Sequence, residues 1–533
     1  MNGYQQLKKM GERLKSMTLS NFGELTEYVS TTNWDFASKN EDDDFHTDLL
    51  FLRTASQEME EYIGDSHEDV FLNYNGYCGS FYFEKSNSKR ICENIKNKLR
   101  EDENFRKAFN KNIYEVADKL ASVYGDIDRS DFKFMGKAQL KSIYERQMNA
   151  QIELYRKCWP AEVIQIPEIG LEEDLIDEIK KWGYGKKAAE QVFYELVRCD
   201  KDSVYVEEEK LVMDLAKNVL SNDEVKRWFD LPIKHLRTHC PHWLSKKIEE
   251  VRAFYGYLGY HGFGDREMTS TDEYLKRIKE YVNDESKFKS ESSNWNDRDV
   301  NLSDSAKHML KIMTNVDRDL VKLYGELAVS KAYRRLAQLK NFYYLDELVK
   351  EIAYKTHLTE SHIRFMMPEE VMALLEERLN VEEIKDIENR RENMVYIYHN
   401  NEEYVFTKER ANSLQDIVEN QEPIVETKVL KGRAACMGVR RGKAVIIERA
   451  TDADKFTPGD ILVSLEADPD LISVMRMAGA IVTDQGGITC HAAVIAREFN
   501  IPCVMGTKHA TKLIKSGDML LVDANKGEVI IEE

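Results

Sequence analysis

A glycine pair, a hydroxyl and a histidine stand together near the end of the chain, in Ile481-Val482-Thr483-Asp484-Gln485-Gly486-Gly487-Ile488-Thr489-Cys490-His491-Ala492-Ala493-Val494-Ile495-Ala496-Arg497-Glu498-Phe499-Asn500-Ile501-Pro502. The apolar run at its start reads as a buried strand that stops at the Gly486-Gly487 turn, and the small residues after His491 open a helix. His491 is thereby expected at a helix N-terminus, where free backbone N–H groups and the helix dipole favour an anion. An imidazole with one nitrogen free beside such a site can carry a phosphoryl group. Gly486 and Gly487 let N–H groups approach the phosphoryl oxygens with no Cβ in the way. Thr489 offers a hydroxyl to the ring or to the phosphate. These residues point to a phosphohistidine relay, with His491 as carrier and Thr489, Gly486 and Gly487 as its support.

Other reactive groupings carry less. His235, His239 and His242 stand with Cys240, and the first two are spaced to share one helix face, but Pro241 breaks that helix and no carboxylate or second pair is signalled nearby, so no metal site is expected. Glu41-Asp42-Asp43-Asp44 reads as a solvated loop. The turn-rich Asn73-Tyr74-Asn75-Gly76-Tyr77-Cys78-Gly79-Ser80 reads as an ordinary connection, with a substrate-facing loop as the alternative. The basic step Lys331-Ala332-Tyr333-Arg334-Arg335 reads as a solvated helix face, with a grip on an anion as the alternative.

A chain of 533 residues has room for roughly two to four domains. Its net charge of −19 speaks against nucleic acid as the main partner, because a phosphate backbone needs a basic face. Eight cysteines without a CxxC pair, behind an N-terminus with no apolar signal core, read as reduced thiols of a cytoplasmic protein. No run of about 18 apolar residues is present, so no membrane span is expected.

Up to about residue 420 the apolar positions recur at helical spacing, as in Ile113 to Tyr124 and Leu310 to Ile352. Near Asn420-Gln421-Glu422-Pro423 the texture changes. The last 112 residues hold four of the nine prolines and ten of the 26 glycines, so short elements with frequent turns replace long helices. Strands are predicted at 445–447, 461–464, 481–483, 503–505 and 520–522, with Ala524-Asn525-Lys526-Gly527 turning the last into 529–531. Helices are predicted after Asp470 and after His491. The expected fold is a mainly α N-terminal region followed by a C-terminal α/β domain.

Residues 461–507 resemble, nearly position by position, the swivelling phosphohistidine domain of the phosphoenolpyruvate-utilising enzymes. That superfamily includes phosphoenolpyruvate synthase, pyruvate phosphate dikinase and rifampicin phosphotransferase. The resemblance rests on Asp468-Pro469-Asp470, Ala480-Ile481-Val482-Thr483, Gly486 to Ala493, Ala496-Arg497-Glu498 and Ile501-Pro502-Cys503-Val504-Met505-Gly506. The Thr489-Cys490-His491 form is closest to phosphoenolpyruvate synthase. Upstream, Gly432 to Gly442 looks like the family's entry turn, with Met437 where a proline is usual. The resemblance implies a swivelling β/β/α domain over residues 421–533.

A fainter resemblance joins Leu258 to Met268 to the Gly-His-Arg-Gly-Pro-Gly-Glu segment of rifampicin-phosphotransferase-like proteins, departing at Tyr260, His261 and Phe263 and more mildly at Asp265. His357 to Glu360, with Met367-Pro368-Glu369-Glu370-Val371, resembles the region just before that family's swivelling domain. These likenesses imply an acceptor-binding helical domain over residues 200–420, with 1–200 its first half or a separate domain. His261, Asp265 and Glu267 become candidates for orienting or deprotonating an acceptor hydroxyl, or else polar groups of a Gly-rich turn. No segment resembles the family's ATP-grasp domain or its phosphoenolpyruvate barrel. ATP and Mg²⁺ are therefore expected on a partner chain of ATP-grasp type, with a small-molecule acceptor on this one. The rival readings are a non-catalytic regulatory or docking protein and a component of a split phosphoenolpyruvate synthase.

Overall fold

Among the described residues of the computed structural model of this chain stand two β-sheets, of five and eight strands. The structure describes residues 19–41, 45–74, 78–260, 267–284, 286, 288, 302–379, 381–419, 427–447, 450–466, 471–486 and 491–532. Contacts group the described residues of 1–105, 122–173 and 345–533 into one unit, and those of 106–121 and 174–344 into a second. Between residues 85 and 392 the chain is largely helical, and the eight-stranded sheet follows at the C-terminal end, so the expected division into a mainly α region and a C-terminal α/β region holds. Among the described residues, no helix is long and apolar enough to cross a membrane.

The five-stranded sheet is absent from the sequence reading. It is antiparallel, in the order β1 (Trp34–Glu41), β3 (Cys78–Glu84), β2 (Val70–Tyr74), β4 (Met394–His399), β5 (Glu402–Thr407). The stretch read as a turn around Asn73 to Ser80 thus contributes its flanks to β2 and β3. All five residues of β2 are buried, which removes the polar alternation that would have marked a half-exposed strand. One face packs Phe71, Val395, Ile397 and Phe406 against Leu25 and Val29 of helix Leu19–Thr31 and Ala411, Leu414 and Val418 of helix Lys408–Glu419. On the β3 side, Phe51 sits edge-on to Phe81, Phe83 and Trp159, the last from helix Lys137–Val163.

This sheet is tied to its helices by buried charge. Arg53, fully buried, precedes a π-helical turn, Thr54–Glu58. It donates to both oxygens of Glu403 (Nε–Oε1 and Nη2–Oε2, each 2.8 Å) and to both of Glu369 (2.8 and 3.0 Å). Tyr396 Oη (2.9 Å) and Gln57 Nε2 (2.7 Å) complete the shell of Glu403. Two carboxylates around one guanidinium leave a net negative charge, and those neutral donors spread it. Glu370, beside Glu369, takes two hydrogen bonds from the buried Arg390 (2.8 and 2.9 Å). The Met367-Pro368-Glu369-Glu370 segment therefore acts here as a structural pin, with Pro368 in the first turn of helix Pro368–Leu375.

In the C-terminal domain the order is β6 (Val429–Lys431), β13 (Glu528–Glu532), β12 (Met519–Asp523), β8 (Val439–Ile446), β9 (Ile461–Ser464), β10 (Ala480–Thr483), β11 (Cys503–Met505), β7 (Arg433–Cys436). β8, β9, β10 and β11 pair in parallel and the remaining neighbours antiparallel. β9, β10 and β11 are buried along their whole length, as parallel strands covered on both faces must be. One cover holds Leu471, Val474 and Met475 around helix Ile472–Met477 with Ala493, Ile495 and Ala496 of helix His491–Glu498. The other holds Ala510 and Ile514 with Leu520, Val522 and Val529. The predicted Ala524–Gly527 hairpin forms, with Gly527 at φ +68° and no room for a Cβ against the Gly432 carbonyl.

Two stability predictions arise from these buried groups. Replacing Arg53 by methionine strands two carboxylates in the interior, and a loss of about 3–5 kcal/mol is expected in urea titrations followed by circular dichroism; an unchanged midpoint would refute the role. His67 is fully buried, accepts from the Trp159 indole N–H (3.2 Å), and has its pKa pushed down to about 3 by burial and by Arg90. A histidine depressed in the folded state contributes stability above its unfolded pKa, near 6.5, that is lost as pH falls. Thermal unfolding of wild type against His67→Phe between pH 7 and pH 4 is expected to show a component of up to about 1.4 kcal/mol per pH unit, present only in wild type.

Candidate functional site at the strand ends of the C-terminal domain

The parallel strands bring the C-terminal ends of β9, β10 and β11 to one edge of the sheet, and the chain turns there from β10 towards His491. Register sets Ile481 opposite Cys503 and Val482 opposite Val504, which carries Thr483 level with Met505, and Met505 pairs with Arg433 on β7. One row across the sheet thus runs Thr483, Met505, Arg433.

Asp484 follows this row and is almost fully buried. Its carboxylate accepts from Thr507 Oγ1 (2.9 Å), from the backbone N–H groups of Thr511 (3.1 Å) and Ala510, and from Thr511 Oγ1. It thereby caps the short helix Ala510–Leu513. The backbone repeats the tie: Asp484 N–H donates to Ser464 (3.1 Å), Gln485 N–H to Leu465 (2.9 Å), Thr507 N–H to Thr483 (3.1 Å) and Lys508 N–H to Asp484 (3.1 Å). Thr483 Oγ1 closes on the Gln485 carbonyl at 2.6 Å. Gly486 leaves this clamp at φ +108°, a conformation that favours glycine and explains why the turn begins there.

Beyond Gly486 the chain re-enters the described structure as a helix whose first residue is His491. The expected placement of His491 at a helix N-terminus is what the backbone adopts. Gly487 and Thr489 lie outside the described residues, as do His261 and Asp265. Ala493 is fully buried in the domain's own core, so its small side chain serves close packing of the helix on the sheet. The helix stops at Asn500, in the left-handed region at φ +53°, with Ile501 N–H returning to the Ala496 carbonyl at 2.8 Å.

Glu267 is exposed. The stem of its segment is pinned: Thr269 N–H donates to the Gly256 carbonyl (2.9 Å), Arg252 Nε to the Thr269 carbonyl (3.1 Å), and a Cβ on Gly259 would fall 2.1 Å from Thr269 Oγ1. Tyr260 is buried edge-on to Tyr343 (5.4 Å), with Tyr257 5.6 Å from the same ring. In the same unit, buried Glu208 and Glu209 of helix Val204–Leu220 receive Tyr274 Oη (2.6 Å), Tyr281 Oη (2.7 Å) and Arg277 (3.2 and 2.7 Å). Burial and Glu208 drive the Tyr274 hydroxyl far above the usual phenol range, so it stays a donor. Lys331 is buried and Arg334 and Arg335 half-buried, which corrects the reading of that step as a solvated face. His239 Nδ1 lies 2.8 Å from the His235 carbonyl. Among the described residues no three His, Cys, Asp or Glu side chains are grouped to hold a metal ion.

The C-terminal domain is thus a mixed α/β domain with parallel central strands and a helix that begins at His491. Residues 456–527 match the family model described as PEP-utilising enzyme, mobile domain, and the C-terminal part of the chain is such a domain. Phosphoenolpyruvate synthase of Pyrococcus furiosus is 47% identical over 112 residues, 21% of this chain and 14% of that protein. An uncharacterised phosphotransferase of Bacillus subtilis, YvkC, is 39% identical over 128 residues, 24% of this chain and 15% of its own. Phosphoenolpyruvate synthase of Neisseria meningitidis serogroup B is 40% identical over 147 residues, 27% and 18% respectively. These matches span less than a fifth of the relatives' length. Among solved structures, aconitase X of Thermococcus kodakaraensis aligns with 20% of this chain at 22% identity and a TM-score of 0.17.

Asp484, Thr507 and Thr511 were missed as site residues in the sequence, although an acid at the end of an apolar strand and a Thr-rich stretch before a short helix signal a cap. Asp484→Ala leaves the Thr511 hydroxyl and two N–H groups without their acceptor, while the Thr507 hydroxyl keeps the Thr483 carbonyl (3.0 Å), and a loss of about 3 kcal/mol in the C-terminal domain is expected by calorimetry. A value under about 1 kcal/mol would show that the clamp does not hold the strand ends.

Proposed function

We propose that this chain is a phosphotransferase component in which His491 is transiently phosphorylated and hands the phosphoryl group to a small-molecule acceptor in the helical region 200–420. The observation that carries this reading is a histidine at the first position of a helix in a PEP-utilising enzyme mobile domain. Backbone N–H groups of the first helical turn face an anion favourably, and Gly486 with Gly487 lets further N–H groups approach it. Thr489, in this proposal, offers a hydroxyl to the ring or to the phosphate. His261, Asp265 and Glu267 are the proposed acceptor-side groups, orienting a hydroxyl or taking its proton.

The donor in this proposal is ATP with Mg²⁺ on an ATP-grasp partner chain. The phosphoryl group leaves ATP for an imidazole nitrogen of His491, releasing ADP in the simplest case. The acceptor oxygen then displaces the imidazole and loses its proton to a base. Such a transfer needs mainly positioning and charge stabilisation, which suits a domain that brings one histidine to two sites in turn. The likeness to phosphoenolpyruvate synthases supports a second reading in which pyruvate is the acceptor.

The experiment is incubation of full-length protein with γ-labelled ATP and a candidate ATP-grasp partner, followed by acid treatment and mass spectrometry. Wild type is expected to acquire an acid-labile phosphate at His491. His491→Ala is expected to lose it, and to lower acceptor phosphorylation by at least a thousandfold while keeping its circular-dichroism spectrum. Acceptor phosphorylation by His491→Ala at the wild-type rate would overturn the reading. Pyruvate in the acceptor panel separates the second reading from the first.

A further inference from the structure

Arg433 ends the row Thr483, Met505, Arg433, so it stands two strands from β10, about 10 Å across the sheet. From there it reaches a different part of the chain. Its guanidinium pairs with Glu172 (3.3 Å) and with Glu173, both in the first turn of helix Leu171–Lys181. Lys508, just past β11 on the same sheet edge, lies 3.8 Å from Glu168. Two cations flanking the carrier edge thus meet three carboxylates on one ridge.

That ridge is stiff. Lys96 Nζ (2.9 Å) and Cys92 Sγ (3.3 Å) both donate to the Ile169 carbonyl, Leu171 N–H to Ile164 (2.8 Å) and Gly170 N–H to Ile166 (2.8 Å). A Cβ on Gly170 would sit 2.6 Å from the Ile164 carbonyl oxygen, so the bend requires glycine. Glu168 is held outward at φ +72°. Glu172 is largely buried, Arg433 half-exposed, and the Lys508–Glu168 pair open to solvent. The first contact carries most of the attraction, and the second reports on it.

We infer that Glu168, Glu172 and Glu173 form the resting dock of the C-terminal domain, gripped through Arg433 and Lys508, and that phosphorylation of His491 opens the grip. The second half rests on the proposed carrier role of His491. A phosphoryl group adds about −1.5 to −2 charges to the sheet edge. It competes for Arg433 and repels the carboxylates that Arg433 now neutralises. The empty carrier is retained and the loaded carrier released.

Carbodiimide cross-linking of the full chain tests both halves, because it joins Lys508 to Glu168 by an amide only while the two touch. Mass spectrometry then gives the yield. Arg433→Glu is expected to lower the yield at least fivefold, and Arg433→Glu combined with Glu172→Arg and Glu173→Arg to restore it. An unchanged yield in the single variant, or no recovery in the charge-reversed one, overturns the dock. Protein phosphorylated at His491 by phosphoramidate, or by ATP and the partner, is expected to show the same fivefold loss. Full yield with the phosphate present overturns the release while the carrier reading stands. Failure of His491 to take phosphate from either donor overturns the carrier reading and the release with it, and the charge-reversal arm still decides the dock.

Discussion

A buried carboxylate held by neutral donors, Asp484, fixes the sheet edge on which the proposed chemistry stands. Parallel strands end in separate loops, and nothing in the sheet itself holds those loops to one another. Asp484 does so by accepting from two threonine hydroxyls and two backbone amides, while the adjoining amides join β9, β10 and β11. Hydrogen bonds to a charged acceptor are about twice as strong as neutral ones, and burial protects them from competition by water. The ends of β9, β10 and β11 are thus tied to one another and to helix Ala510–Leu513.

The C-terminal domain was legible because each of its signals is local. Short apolar runs, glycine punctuation and a histidine before small residues specify strands, turns and a helix start within a few positions of one another. Ala493 shows the limit of such reading. Its size was visible, but its use, packing the helix onto the sheet, depends on the partner surface. Asp484 likewise looks like any polar residue after a strand until the threonines some 25 positions later fold back onto it.

The five-stranded sheet was illegible for a different reason. Its central strand, Val70–Tyr74, is buried on both faces and too short for periodicity to separate it from a helix fragment. Its neighbour β4 lies more than three hundred residues away. The acids of Met367-Pro368-Glu369-Glu370 were noticed for a family likeness, whereas their geometry is that of counter-ions to Arg53 and Arg390. The acceptor candidates are only partly placed. The stem below them is tightly pinned at Gly256, Gly259 and Thr269, Glu267 stands exposed, and His261 and Asp265 lie outside the described residues.

The pairing of Val70 with Tyr398 and of Tyr74 with Met394 also dictates an order of events during synthesis. At roughly 5–20 residues per second, the ribosome needs about 15–65 s to make β4 after β2 has emerged. Throughout that interval β2 and β3 can pair with each other, but the far edge of β2 stays open, a row of unpaired backbone groups flanked by Phe71 and Leu72. The nascent chain therefore exposes an adhesive hairpin while the helices between are completed. Closure of this sheet is a late, high-contact-order step.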